Sequence, residues 1–217
     1  MIMKIFRAKV GVADLYTNMY VVADEKTKDG ILIDAGAGTD KIIDYIDFMG
    51  IKLRYIILTH CHADHISGLK ALRKEYPRVP IVINEDDKKG MTDPTINQCE
   101  ILGVDNNYIE ADLVVKEGDV IKFGELEAKI IHTPGHTAGS MCILINDALF
   151  SGDTMFKHIY GRTDLKTGSE REIMWSIKDK LLQPGESGKG QGPDAGMEPH
   201  HGTSRRHGRH PRVHAQL

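Results

Sequence analysis

His60, His62, Asp64 and His65 fall within the string "HCHADH", directly after the apolar run "YIILT". Imidazole and carboxylate are the side chains that bind zinc, and also iron or manganese at somewhat different geometry. His60 and His62 alternate along an extended segment, which turns both rings to one side. Asp64 and His65 then sit where the chain turns into a helix expected to begin near Ile66, aimed at a second point close to the first. The plain alternative is a polar loop of solvated histidines, with Asp64 capping that helix.

Two later segments add the same ligand types. "IIHTPGHTAGS" brings His132 and His136 after a strand, and the Pro134-Gly135 turn lets His136 point inward. His132 reads as structural, bonding its own loop. "ALFSGDTMF" brings Asp153 at a strand end, with Gly152 allowing close backbone approach. Every strong ligand thus stands at the C-terminal end of a strand, where sites on sheet scaffolds form. Cys61 lies between ligands and reads as a spacer or core residue, with ligand or redox switch as the alternative. Asp34 in "LIDAG" either orients a ligand imidazole or closes a plain strand-end turn.

The elements that must position these groups follow from periodicity. "MKIFRAKV", "NMYVVAD", "DGILID", "LRYIILT" and "VPIVIN" are strand-like. "TDKIIDYIDFMG" has helical spacing, Thr39 as N-cap and Gly50 as its stop. "ISGLKALRKEYP" predicts a short helix closed by Pro77, and residues 85–103 a polar loop with some helix. "LVVKEGDVIKFGELEAKIIHTPG" predicts a strand meander, "SMCILIND" and "ALFSGD" two more strands, and "SEREIMWSIKDKLL" one amphipathic helix. Two similar rounds of strands and helices predict two sheets with helices outside.

A chain of 217 residues suits one large domain or two small ones. A formal net charge of -3 points to neither nucleic acid nor an acidic membrane as partner; the partner expected is a small-molecule substrate. No apolar run approaches the roughly 20 residues that span a bilayer. The start "MIMKIFRAKVG" lacks a signal-peptide h-region. Three cysteines, Cys61, Cys99 and Cys142, form no disulfide framework and fit a reducing cytoplasm.

The ordered pattern "THCHADH…HTPGHTAGS…SGDTMF…GRTDL" closely resembles the metallo-β-lactamase superfamily, and within it the small glyoxalase II-like hydrolases. The resemblance covers about residues 3–182. It implies an α/β (α+β) four-layer αββα sandwich with two divalent metals at one edge, zinc first, with iron or manganese as alternatives. By carry-over, His60, His62 and His136 hold one metal, Asp64 and His65 the second, and Asp153 bridges them; Asp64 is also the catalytic candidate. Two metals about 3.5–4 Å apart can lower the pKa of a shared water towards neutrality. The implied activity is hydrolysis of a thioester, such as an acylglutathione, or of a related ester. In the family the stretch "FKHIYGRTDL" shapes the substrate mouth. Lys157, Tyr160 and Arg162 could grip a carboxylate, or Arg162 and Asp164 could form a structural ion pair.

Residues 183–217 differ in kind. They hold five of the 11 His and four of the 8 Pro, but few large aliphatic residues, which predicts a low-order tail. The family expects one more histidine, in a Pro-Gly-His-Gly turn after a short strand. "PHHG" mimics that turn late in the chain and makes His201 a weak ligand candidate. A one-base shift of reading frame across Gly196–Pro199 permits codons for Gly-His-Gly-Thr, so the tail also reads as an out-of-frame C-terminus. A naturally histidine-rich tail is the alternative.

Two other functions remain open on sequence grounds. Persulfide dioxygenases share the scaffold and a "GRTD" stretch, but use one Fe(II) held by two His and one Asp, here matched by His60, His136 and Asp153. A scaffold made inactive by a damaged C-terminus is the third reading.

Overall fold

The computed structural model describes residues 2–12, 15–105, 108–182 and 212–214. The chain opens with a hairpin of β1 (Met3–Val12) and β2 (Leu15–Asp24), followed by β3 (Asp29–Ile33). Helix α1 (Asp40–Met49) leads into β4 (Lys52–Ile57), and α2 (Ala63–Ile66) and α3 (Leu69–Glu75) lead into β5 (Ile81–Asn84). Two 3-10 turns, Glu85–Asp87 and Lys89–Thr92, and two short helices, α4 (Pro94–Asn97) and α5 (Cys99–Leu102), precede β6 (Leu113–Val115). The meander β7 (Val120–Phe123), β8 (Leu126–His132), β9 (Met141–Ile145) and β10 (Ala148–Phe150) follows. Helix α6 (Glu170–Trp175) continues as a π-helical turn over Ser176–Leu181, and β11 (Arg212–His214) completes the described chain.

The strands form a six-stranded sheet in the order β1-β2-β3-β4-β5-β6 and a five-stranded sheet in the order β11-β10-β9-β8-β7. β3, β4 and β5 are mutually parallel. β8 and β10 each pair antiparallel with β9 and so run the same way as each other. This polarity carries the C-terminal ends of β3, β4 and β5 to one edge of the first sheet, and those of β8 and β10 to one edge of the second. A backbone hydrogen bond from Met141 N to Thr59 O (2.9 Å) stitches the two sheets together there.

Period-2 alternation divides the core. Met19, Val21, Leu32, Ile56 and Leu58 face a cluster completed by Ile42, Ile46, Leu69 and Leu72 of the outer helices. Tyr20, Val22, Ile31, Ile33 and Ile57 face a second cluster with Ala128, Ile130, Ile143 and Phe150 between the sheets. Tyr20 and Phe150 meet edge to face across that interface, with ring centroids 5.1 Å apart. On the second sheet's side, α6 seats the buried Ile173 against Gly135, where a Cβ would lie 2.2 Å from the Ile173 backbone nitrogen. The result is the expected αββα layering.

Asp24 joins the sheets away from the ligand-bearing edge. Its carboxylate accepts from Lys26 N (2.9 Å) in the β2–β3 turn and from Glu125 N (2.7 Å) in the β7–β8 turn. Gly124, with φ +58, supplies the backbone that this approach requires; a Cβ there would lie 2.6 Å from Asp24 Oδ2.

Local expectations are met with three adjustments. Gly50 closes α1 in the left-handed region (φ 62), but the Thr39 side chain makes no capping bond. The single helix expected from Ile66 is two: a one-turn α2 (Ala63–Ile66), which already carries Asp64 and His65, and α3 (Leu69–Glu75), with a turn at Ser67-Gly68 between them. The closing helix widens to a π-turn from Ser176. There the Ser176 hydroxyl donates to Pro134 O (2.8 Å) and Lys180 Nζ to both Glu117 Oε2 and His132 O (2.6 Å each). The tail proposed as low-order or out-of-frame lies outside the described residues, except 212–214, which pair parallel with β10. No helix among the described residues is long and apolar enough to cross a membrane.

Candidate metal centre

β4 ends at Ile57, the chain bends at Thr59 and is extended at His62, and the rings of His60 and His62 come together with centroids 4.8 Å apart. The turn of α2 then swings Asp64 and His65 towards the same centre. From the second sheet, the β8–β9 loop delivers His136, and Asp153 enters in the 3-10 turn Gly152–Thr154 after β10. The ligand atoms of His60, His62 and His136 lie within 4.8 Å of one another, and so do those of His60, Asp64 and His65. His60 belongs to both groups. Asp153 connects them, with Oδ1 3.2 Å from His65 Nε2 and Oδ2 3.6 Å from His136 Nε2.

Three of the four imidazoles are tied down from outside. His60 Nδ1 lies 3.1 Å from Thr59 Oγ1, whose hydroxyl reaches Asp34 at 3.0 Å. His136 Nδ1 donates to Arg162 O at 2.8 Å. His65 Nδ1 lies 2.9 Å from Asp34 Oδ2, an ion-pair contact rather than an aligned hydrogen bond. Asp34 itself holds a left-handed backbone (φ 61) and takes the Thr59 amide at 2.8 Å, so it orients a site imidazole as well as closing a strand. Outer nitrogens anchored in this way leave inner lone pairs for a cation.

Those inner atoms lack better partners. His60 Nε2 is buried with no hydrogen bond, and His62 Nδ1 faces His136 Nε2 at 2.9 Å. Burial first, then the neighbouring imidazoles, holds His60 and His62 well below the usual histidine range, so both are neutral ligands near pH 7. For His65, burial pulls down, but Asp34, Asp64 and Asp153 outweigh it and hold the ring well above that range. For Asp153, burial pulls up, but His65 outweighs it and the carboxyl falls to about 2. The neutral imidazoles of His60 and His62, beside converging carboxylates and a His65 ring whose proton a cation would displace, make a donor set that fits a divalent metal.

Close backbone approach completes the centre. A Cβ on Gly161 would lie 1.9 Å from Asp153 O and 3.0 Å from His136 Nδ1, so the "GRTD" stretch can cover the ligands only through a bare glycine. Arg162 points outward and pairs with Asp164 through Nε and Nη2 (2.8 and 2.9 Å), as a structural ion pair does. Tyr160 donates to Glu170 (3.1 Å). His132 Nε2 donates to Ala138 O (2.8 Å), bonding its own loop. Cys61 is fully buried in the core cluster under the outer helices, and burial, then Asp87, pushes its thiol well above the ordinary range. His201 lies outside the described residues.

Two residues at the site carry no signal of their own in the sequence. Thr17 of β2 donates to Asp64 Oδ2 at 2.7 Å, and Asp87 accepts from Cys61 N at 3.1 Å. Thr17 resembles any strand threonine, and Asp87 is the third acid in "EDD". Only the fold distinguishes them.

Fold and site together define a sheet-sandwich protein with a histidine–carboxylate metal centre at one edge. The family model of the metallo-beta-lactamase superfamily matches residues 12–207, and the chain belongs to that superfamily. A protein of Aquifex aeolicus is 38% identical over 183 residues, covering 80% of this chain and 82% of that one. The probable metallo-hydrolase YqgX of Bacillus subtilis is 30% identical over 178 residues, with the same coverages. The mitochondrial persulfide dioxygenase ETHE1 of Mus musculus is 32% identical over 169 residues, covering 76% of this chain but 59% of the dioxygenase. Among solved structures, the BLEG-1 B3 metallo-beta-lactamase superposes with a TM-score of 0.74 at 27% identity, covering 82% of this chain and 86% of that one. TTHA1623 in a di-iron-bound form gives 0.70 at 25% identity, covering 82% and 87%.

Proposed function

We propose that this protein is a metal-dependent hydrolase of thioesters or related esters, of the glyoxalase II-like kind, working with two divalent ions. The observation that carries the reading is Asp153, whose two carboxylate oxygens face His65 of one group and His136 of the other. A carboxylate so placed would suit sharing between two ions. His60, His62 and His136 would hold one ion, Asp64 and His65 the second, with Asp153 shared.

When bound, such ions supply an acidified water and a Lewis acid for the scissile carbonyl. The chain's own residues supply position. Asp34 and Thr59 fix the rings of His65 and His60, and Arg162 O fixes His136. Thr17 donates to Asp64 Oδ2, the oxygen that also lies 3.5 Å from His65 Nε2, and so holds the carboxylate beside that imidazole. No serine or cysteine nucleophile is required, and the buried Cys61 is in no position to act as one.

A second reading, mononuclear Fe(II) persulfide dioxygenation through His60, His136 and Asp153, is favoured by the likeness to the mouse dioxygenase. One preparation separates them. Hydrolysis of an acylglutathione with about two zinc ions per chain supports the hydrolase. Oxygen uptake with glutathione persulfide and about one iron per chain would replace it. Neither activity in a metal-free, folded protein would support the inactive scaffold. If the tail is as written rather than out of frame, the second ion lacks a ligand and metal content falls nearer one than two. The coding DNA decides that point: a motif-free sequence in both neighbouring frames rejects the frame shift.

A further inference from the structure

Asp87 lies in the first turn after β5, outside every ligand string, yet its side chain touches both ligand-bearing loops. Its Oδ2 accepts from the backbone N–H of Cys61 (3.1 Å) and from the Thr137 hydroxyl (2.7 Å), and its Oδ1 accepts from Gly139 N (2.8 Å). Cys61 stands between His60 and His62, and Thr137 follows His136. One buried carboxylate therefore ties the loop after β4, on the first sheet, to the loop after β8, on the second. Two glycines make room for the contact. A Cβ on Gly139 would fall 2.6 Å from the Cβ and Cγ of Asp87, and a Cβ on Gly90 would fall 2.4 Å from Cys61 Sγ.

A buried carboxylate is costly unless donors satisfy it, and here three do. A neutral hydrophobic residue could fill the space but could not hold both loops. The loops it joins carry His62 and His136, whose facing nitrogens are 2.9 Å apart. That gap is set by where the two loops stand, since the rings arise from different sheets.

We propose that Asp87 is a positioning residue that fixes the separation of His60 and His62 from His136, and through it the affinity of the centre for metal. The proposal rests on the metal-centre reading and is independent of which reaction the centre performs. Asp87 is not itself placed among the ligands; it acts through the two loops. Asn in its place retains one acceptor oxygen and turns an NH2 towards a backbone donor, which breaks the tie at nearly constant volume.

The test is zinc affinity, measured on the full chain by competition with a chromophoric chelator, together with the visible spectrum of the Co(II)-substituted protein. Asp87→Asn is expected to lose about 10- to 100-fold in zinc affinity, the usual effect of removing a residue that orients ligands, and to alter the cobalt bands. Thr137→Val removes one of the three donors and is expected to act in the same direction. Thr137→Ser keeps the hydroxyl and is expected to restore wild-type affinity. Ile46→Ala, a core truncation in α1, serves as the control for simple loss of stability and is expected to leave affinity unchanged. Should Asp87→Asn fail to fold, the threonine pair carries the test. Zinc affinity within twofold of wild type in the folded Asp87→Asn or Thr137→Val protein overturns the proposal, as does an equal loss in the Ile46→Ala control. Failure of the wild-type chain to bind zinc or cobalt is a different result, and it removes the metal-centre reading itself.

Discussion

Thr17 Oγ1 donates a 2.7 Å hydrogen bond to Asp64 Oδ2, joining residues 47 positions apart. The bond runs from the first hairpin to the ligand helix α2, and Thr17 is buried. A carboxylate that must serve a metal or a proton gains from having one oxygen fixed, because its plane can then no longer rotate. Thr17→Val keeps the shape and deletes the donor. Turnover of the best substrate found is expected to fall about 10- to 100-fold, with Thr17→Ser near wild type. Wild-type turnover in Thr17→Val at full metal content would show that Asp64 needs no such support.

The parts of the site that could be read from the chain are those whose chemistry is carried by residue type. His60 and His62 announce themselves by alternation, and Asp64, His65, His136 and Asp153 by their place after apolar runs. Thr17 and Asp87 could not be read, because their roles exist only once distant strands are adjacent. The one-turn α2 ahead of α3 has a related cause. Nothing in "HADHIS" marks the first helical residue, and the chain coils at Ala63 where the loop beside Asp34 receives it: Ala35 N bonds His65 O (2.8 Å) and Gly68 N bonds Ala35 O (2.7 Å). The π-turn after α6 likewise depends on contacts of Ser176 and Lys180 with the β8–β9 region, which no local pattern encodes.

Cys61 sits between His60 and His62 in sequence but faces the opposite way. It is fully buried, and its thiol is held well above its ordinary pKa, so it is neither thiolate nor accessible. Cys61→Ala is expected to retain turnover within about twofold while lowering stability by about 1 kcal/mol for the small cavity. Asp64→Ala and His136→Ala are expected to abolish turnover. Iodoacetamide labelling of the native protein should leave Cys61 unmodified. Loss of activity in Cys61→Ala with metal content intact would reassign it to the site.

Removal of metal should be felt by the whole fold. His62 Nδ1 faces His136 Nε2 at 2.9 Å, and His60 Nε2 is buried with no hydrogen-bond partner, so a cation would satisfy nitrogens that the chain itself does not. A metal that binds only the folded chain stabilises it by about 4 kcal/mol at a thousandfold excess over its Kd. For a chain of this size that corresponds to about 8–16 °C in Tm. Stripping with a chelator and following thermal unfolding should show a drop of that order, reversed by adding zinc. An unchanged Tm in protein shown by elemental analysis to be metal-free would mean that the centre is formed and satisfied without an ion.

Acid should loosen the molecule from the edge away from the metal. The amides of Glu125 and Lys26 donate to Asp24 and hold its carboxyl below the usual carboxylate range, the Glu125 bond being the larger cause. A carboxyl whose folded pKa is depressed binds fewer protons in the native state. Its contribution is therefore complete above the ordinary carboxylate pKa and lost as pH falls through the folded value. Asp24→Asn cannot make that pH-dependent contribution. Its Tm is expected to lie below wild type at neutral pH, with the two curves converging below about pH 4. Protein stripped of metal should be used for both, so that the titration of ligand histidines does not enter the comparison. A Tm difference that stays constant from neutral pH down to about pH 2 would mean that Asp24 joins the two turns by shape alone, with its charge contributing nothing.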